Sequence, residues 1–171
     1  IALASAIRIM KETGAHAIKL EGGEEAIESI KRIVAAGIPV MGHLGLTPQS
    51  IYKFGTYTVR AKEEDEANKL RNDALLLQQA GCFATVLEKI PAALAKEVSA
   101  SVHIPTIGIG AGNDCDGQVL VMHDLLGISS GYIPKFSKNF LQETGDIKRA
   151  ISQYISDVKQ GAFPGAEHSF N

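Results

Sequence analysis

Five short apolar runs, at 15–21, 38–45, 83–90, 104–110 and 118–123, recur along the chain with stretches of helical periodicity between most of them. Such βα alternation predicts a parallel sheet, because parallel neighbours need long crossovers where antiparallel ones need only hairpin turns. The intervening stretches carry their own helix signals. Leu3, Ile7 and Met10 share a face over 2–13, with Gly14 just beyond, and Ile27, Ile30, Ile33 and Val34 form a second stripe that Gly37 ends. Glu63, Glu64, Asp65 and Glu66 fill the first turn of a third helix, where the macrodipole favours negative charge, and Leu70, Ala74, Leu77 and Ala80 line its buried side before Gly81. Residues 91–102 read as a helix with Pro91 near its first position, and 138–161 as two helical stretches split near Thr144 and Gly145. Only 48–61 departs from the pattern. There Tyr52, Phe54, Tyr57 and Val59 alternate weakly around Gly55, which predicts a long functional loop of hairpin-like character.

Composition removes several classes of function. The 17 Lys and Arg against 19 Asp and Glu leave a net charge of −2, without the basic surface that nucleic acid requires. No run approaches the roughly 18–20 apolar residues of a membrane span. Cys82 and Cys115 fit no metal knuckle, redox pair or disulfide framework, so the expected compartment is the reducing cytoplasm. The opening residues read as a helix already under way, and the chain is expected to be the later part of a longer polypeptide.

Five parallel strands suit either an open doubly wound sheet or part of a closed barrel. Lys19, Glu21, His43, Glu88, Asn113 and Asp114 all fall at or just after the carboxyl ends of their strands, where a barrel gathers its chemistry and an open sheet also places ligands. A complete barrel takes about 250 residues, so 171 would leave one open.

Lys19 and Glu21 are two apart on a strand and leave the same face, with Leu20 opposite. They form either a mutual ion pair or a site in which Glu21 reaches a hard metal cation while Lys19 contacts an anionic substrate oxygen. Glu88 shares a face with Val86, with Leu87 turned toward the helices, and desolvation in so apolar a run suits a proton-transfer group. Pairing with Lys89 or capping the helix after Pro91 is the structural alternative. His43 sits between Gly42 and Gly45, which let backbone approach a ligand. For His16, His103, His123 and His168 a structural role is favoured, with His123 beside Asp124 held in reserve. The GIGAG run at 108–112 lacks the glycine at 113 that a dinucleotide fingerprint requires, and reads as a tight strand exit, with a phosphate site at the end of a late barrel strand as the alternative.

Taken together, KLEGG (19–23), GHLGLTPQS (42–50), VLEKIP (86–91), PTIGIGAGNDCDGQVLVMHDLLG (105–127), PKFSKNF (134–140) and PGAEHSF (164–170) resemble ketopantoate hydroxymethyltransferase over essentially the whole chain. The resemblance implies an α/β fold of the (β/α)8 TIM-barrel type, present here as a single partial-barrel domain over 1–171 with about strands 4 to 8. It implies a homo-oligomer, usually a decamer, that makes ketopantoate from 2-oxoisovalerate with 5,10-methylenetetrahydrofolate as one-carbon donor and magnesium as metal. Glu88 then matches the proton acceptor, Lys19 a contact to the 2-oxo acid, Glu21 part of the magnesium site and His43 an active-site histidine. The family's two further aspartates lie on earlier strands, so the chain is expected to begin at the helix before the fourth strand. Two other readings stand beside this one: a different magnesium-dependent C–C bond enzyme acting on 2-oxo acids or their phosphates, and a non-catalytic scaffold fragment.

Overall fold

The structure, a computed structural model, describes residues 1–171, with the side chains of Lys53 and Phe54 excepted. Its elements run in chain order as α1 (Ala2–Glu12), β1 (Ile18–Lys19), α2 (Ile27–Ala35), β2 (Val40–Gly45), α3 (Ile51–Phe54), α4 (Glu64–Gln79), β3 (Ala84–Glu88), α5 (Ala92–Ser101), β4 (Thr106–Ile109), β5 (Gly117–Gln118), α6 (Met122–Leu125), α7 (Phe140–Thr144) and α8 (Ile147–Lys159). The five strands form one sheet in the order β1-β2-β3-β4-β5, every neighbouring pair parallel. This order decides between the two architectures. A doubly wound sheet reverses its strand order at a switch point, whereas here each strand is laid beside the last without reversal. With right-handed crossovers, such a chain puts its helices on one face, which is the winding of a (β/α) barrel. The fold is α/β, a partial barrel of five parallel strands.

Strand alternation splits the sheet into two faces. Val40, Leu44 and Leu87 are buried in one cluster with Ile30 and Ile33 of α2, Leu70, Ala74 and Leu77 of α4, and Leu94 and Val98 of α5. Full burial of a leucine such as Leu87 is worth roughly 1.5–3 kcal/mol, so this helix-covered face supplies much of the fold's stability. Gly42 belongs to the same face. A β-carbon on it would lie 2.6 Å from Leu77 Cδ1, so glycine is what lets α4 approach β2. On the other face Met41, Val86, Ile107 and Ile109 join a second cluster with Leu120, Phe136, Phe140 and Phe163.

Three sequence expectations need correction. The last apolar run is a strand only at Gly117–Gln118, and Met122–Leu125 is a short helix. Val119, Val121 and Met122 are exposed, so their apolarity is not matched by the burial that would favour a continued strand. The first strand is also short, although Ile18, Leu20 and Gly22 all donate backbone hydrogen bonds to the chain around β2, at 3.0–3.1 Å. The segment after β2 forms no hairpin: it passes through a 3-10 turn at Pro48–Ser50 and α3, then runs without regular structure to α4. Phe54's part in the expected alternation lies outside the described residues.

Candidate active site

The site forms where β1, β2 and β3 end, on the face away from the helices. Register brings it together: Lys19 lies beside Met41, His43 beside Val86, and Gly45 beside Glu88. Because alternate residues point the same way, Lys19, Glu21, His43 and Glu88 emerge on one side, while Leu20 and Leu87 pack into the helix-side cluster. The loop after β1 is fixed in turn, as Gly22 N–H donates to the His43 carbonyl at 3.1 Å.

His43 is the centre of the group. It is buried, with only 4% of its side chain exposed, and its two ring nitrogens face different partners. Lys19 Nζ lies 3.1 Å from Nδ1, and Glu21 Oε1 lies 3.5 Å from the same atom. Glu88 Oε2 lies 3.1 Å from Nε2. An ammonium can only donate, so Lys19 assigns Nδ1 as acceptor and leaves the ring proton on Nε2, toward Glu88. That approach is close but poorly aligned, and Nε2 makes no hydrogen bond to any described residue. A buried donor left unsatisfied beside a carboxylate is the kind of atom that a bound ligand or a small side-chain movement completes.

Glu21 is held from both sides. Gln49 N–H donates to its Oε2 at 3.0 Å, while Oε1 faces Lys19 at 3.8 Å as well as His43. A hard carboxylate oxygen backed in this way suits magnesium, which takes few protein oxygens and keeps several waters. The fit is that of one ligand. Among the described residues, no group of three or more His, Cys, Asp or Glu side chains gathers as a metal cage.

A second cluster stands behind the first. Asp73, on the buried side of α4, accepts the Glu24 N–H at 3.0 Å and pairs with Lys69 at 2.5 Å. A β-carbon on Gly23 would fall 2.0 Å from the Asp73 carboxyl carbon, so the carboxylate occupies the space that this glycine leaves. Burial alone would lower the Lys69 pKa, but the hydrogen bond and charge of Asp73, with Glu25 adding its charge, raise it. Asp73 thereby anchors the loop that carries Glu21. Sequence reasoning missed it, although its position three after Leu70 and four before Leu77, inside an apolar stripe, was the available signal. A cavity of about 340 Å³ lies between these clusters, reached by Gly22, His43, Thr47 and Asp73.

The other polar residues expected at strand ends stay apart. Asp114 pairs with Lys96 at 3.1 Å and Asn113 donates to the Gly161 carbonyl. His16, His103 and His123 are exposed rather than packed in a core, and His123 sits on α6. His168 is partly buried against Phe163, where its Nδ1 accepts from Gly165 N–H and desolvation lowers its pKa.

The family model described as ketopantoate hydroxymethyltransferase matches residues 1–166. The chain belongs to the ketopantoate hydroxymethyltransferase family. The 3-methyl-2-oxobutanoate hydroxymethyltransferases of Christiangramia forsetii and Flavobacterium johnsoniae are each 63% identical to it over 169 residues, and that of Salinibacter ruber is 60% identical. Each alignment covers 99% of this chain and 62–64% of the relative, so the chain spans less than two thirds of the length of these curated family members. Among solved structures, the YdjI aldolase of Escherichia coli K12 aligns over 95% of this chain and 66% of its own at 16% identity and a TM-score of 0.43. Among the described residues, no helix is long and apolar enough to cross a membrane.

Proposed function

We propose that the intact protein transfers a hydroxymethyl group from 5,10-methylenetetrahydrofolate to 2-oxoisovalerate, giving ketopantoate, as a cytoplasmic magnesium-dependent enzyme that works as a homo-oligomer, a decamer in the family's usual form. The observation that carries this reading is the contact of Glu21, Lys19 and Glu88 with a single buried histidine at the carboxyl ends of three strands.

The reaction begins by removing a proton from carbon 3 of the 2-oxo acid, which places negative charge on the neighbouring oxo oxygen. Glu88 is the base. Only 15% of its side chain is exposed, and its Oε2 lies 3.1 Å from His43 Nε2, close enough for a small side-chain movement to complete a hydrogen bond that would orient it. Lys19, the most exposed of the four, offers its ammonium to an oxygen of the substrate. Glu21 holds magnesium, which when bound stabilises charge on the oxo acid's oxygens as a Lewis acid. Water adds to the folate's methylene carbon, whose two C–N bonds break to release tetrahydrofolate and a one-carbon unit at the formaldehyde level; carbon 3 bonds to that carbon, and its oxygen takes up a proton to leave the hydroxymethyl group.

Deuterium exchange at carbon 3 of 2-oxoisovalerate tests the reading without the second substrate. The intact protein with magnesium is expected to exchange that proton, as followed by NMR in deuterated buffer, and no exchange would remove the assignment. Glu21→Ala should weaken magnesium binding about tenfold or more in isothermal titration, as for loss of one charged ligand contact.

A further inference from the structure

One pocket at the same rim is used by none of the steps above. Its volume is about 390 Å³, and Tyr57, Lys62, Lys89, Tyr132 and Phe170 are among its walls. Tyr57 and Tyr132 are both well exposed, so their rings are open to a ligand. The cations are arranged around the third ring. Lys89 Nζ lies 5.9 Å from the Phe170 centroid and Lys135 Nζ 5.2 Å from it.

None of Lys62, Lys89 and Lys135 is ion-paired with a carboxylate among the described residues. Lys89 donates instead to the Tyr57 carbonyl, and Lys135 to the Ser169 carbonyl at 2.6 Å. Positive charge has thus been collected beside aromatic surface with no carboxylate in ion-pair contact among the described residues, Glu88 acting on Lys89 only through its nearby charge. Lys89 is also buried and holds φ at +51°, a left-handed conformation that a β-carbon disfavours. Its own backbone fixes that geometry, since its N–H donates to the Ile109 carbonyl and its carbonyl accepts from Arg60 N–H. An uncommon backbone angle held from both sides, one residue beyond Glu88, points to a positioned side chain.

We propose that this pocket binds the p-aminobenzoyl-glutamate part of the folate donor, with its ring against Tyr57 and Tyr132 and its carboxylates toward Lys62 and Lys89. The inference rests on the function proposed above and deepens it. Flat conjugated ligands gain from offset or edge contact with aromatic rings, and lysines provide point charges for carboxylates. Burial lowers the Lys89 pKa, opposed by the Glu88 charge, so an arriving carboxylate would restore what desolvation removes. The pocket also lies beside the base rather than on it, as a donor that must deliver its one-carbon unit to carbon 3 requires.

The test uses the intact protein and measures binding of tetrahydrofolate and of its triglutamate form by isothermal titration. Lys62→Glu and Tyr132→Ala alter exposed side chains, so folding is not at risk. Lys62→Glu should weaken binding about tenfold and erase any preference for the triglutamate. Tyr132→Ala should weaken both ligands about threefold. Folate affinity unchanged in both variants, in a protein that exchanges the carbon 3 proton, overturns the pocket and leaves the reaction standing. Absence of exchange in the unsubstituted protein overturns the reaction, while weakened folate binding in the variants would still support the pocket.

Discussion

Leu87 and Glu88 are adjacent on β3 and belong to opposite regimes. Leu87 is fully buried in the apolar cluster that it forms with side chains of α2, α4 and α5. Glu88 emerges on the other face, 3.1 Å from a histidine that also touches a lysine and a second carboxylate. The period-two geometry of a strand produces this division, and it lets one segment hold the fold and the chemistry without either compromising the other. Gathering four ionisable groups on the helix side would leave each desolvated; at the open rim they keep access to water and ligand.

Substitution of the two neighbours should separate those regimes. Glu88→Gln in the intact protein removes the base while keeping the shape, and turnover is expected to fall by about 10²–10⁴, with a much smaller change in 2-oxoisovalerate binding. Steady-state rates and titration together check this, and near-normal turnover would require another base. Leu87→Ala should do the opposite. It is expected to cost about 2–5 kcal/mol of stability, read as a lower denaturation midpoint, with carbon 3 exchange retained in the fraction that stays folded.

Strands buried on both sides were legible in the sequence as unbroken apolar runs, with the polar residues that make the site falling at their ends. Lys19, Glu21, His43 and Glu88 share a strand-end position, and the parallel register brings them into contact. Strand order was not legible, because composition is the same for a doubly wound sheet and a barrel arc; only the observed neighbours separate them. The run after Gly117 misled for a physical reason. Val119, Val121 and Met122 have strand-forming character but remain exposed, and periodicity cannot report burial that depends on distant packing. Asp73 was hidden similarly: its value lies in a backbone N–H 49 positions away, a contact that no local pattern encodes.

Smaller effects probe how tightly the helix face is built and how it reaches the site. Gly42→Ala would drive a methyl into the fully buried Leu77 side chain, which must shift to admit it, and should cost about 1–3 kcal/mol in chemical denaturation. A cost near zero would mean that α4 can slide over β2, and the division of faces would be looser than the packing implies.

The mildest test concerns Lys69, whose pair with Asp73 joins the helix layer to the loop bearing Glu21. Its folded-state pKa is raised above the ordinary 10.5, so the ion pair's stabilisation is fully present below that value and is lost as pH rises through the folded pKa. Lys69→Met keeps most of the aliphatic stem and removes the charge. Melting temperatures should therefore place the variant slightly below the unsubstituted protein at neutral pH, and the gap should close on titration above about pH 10.5. A gap that persists at alkaline pH would assign the contribution of Lys69 to its stem packing. The anchoring of the Glu21 loop would then rest on the Asp73 hydrogen bond to Glu24 N–H alone.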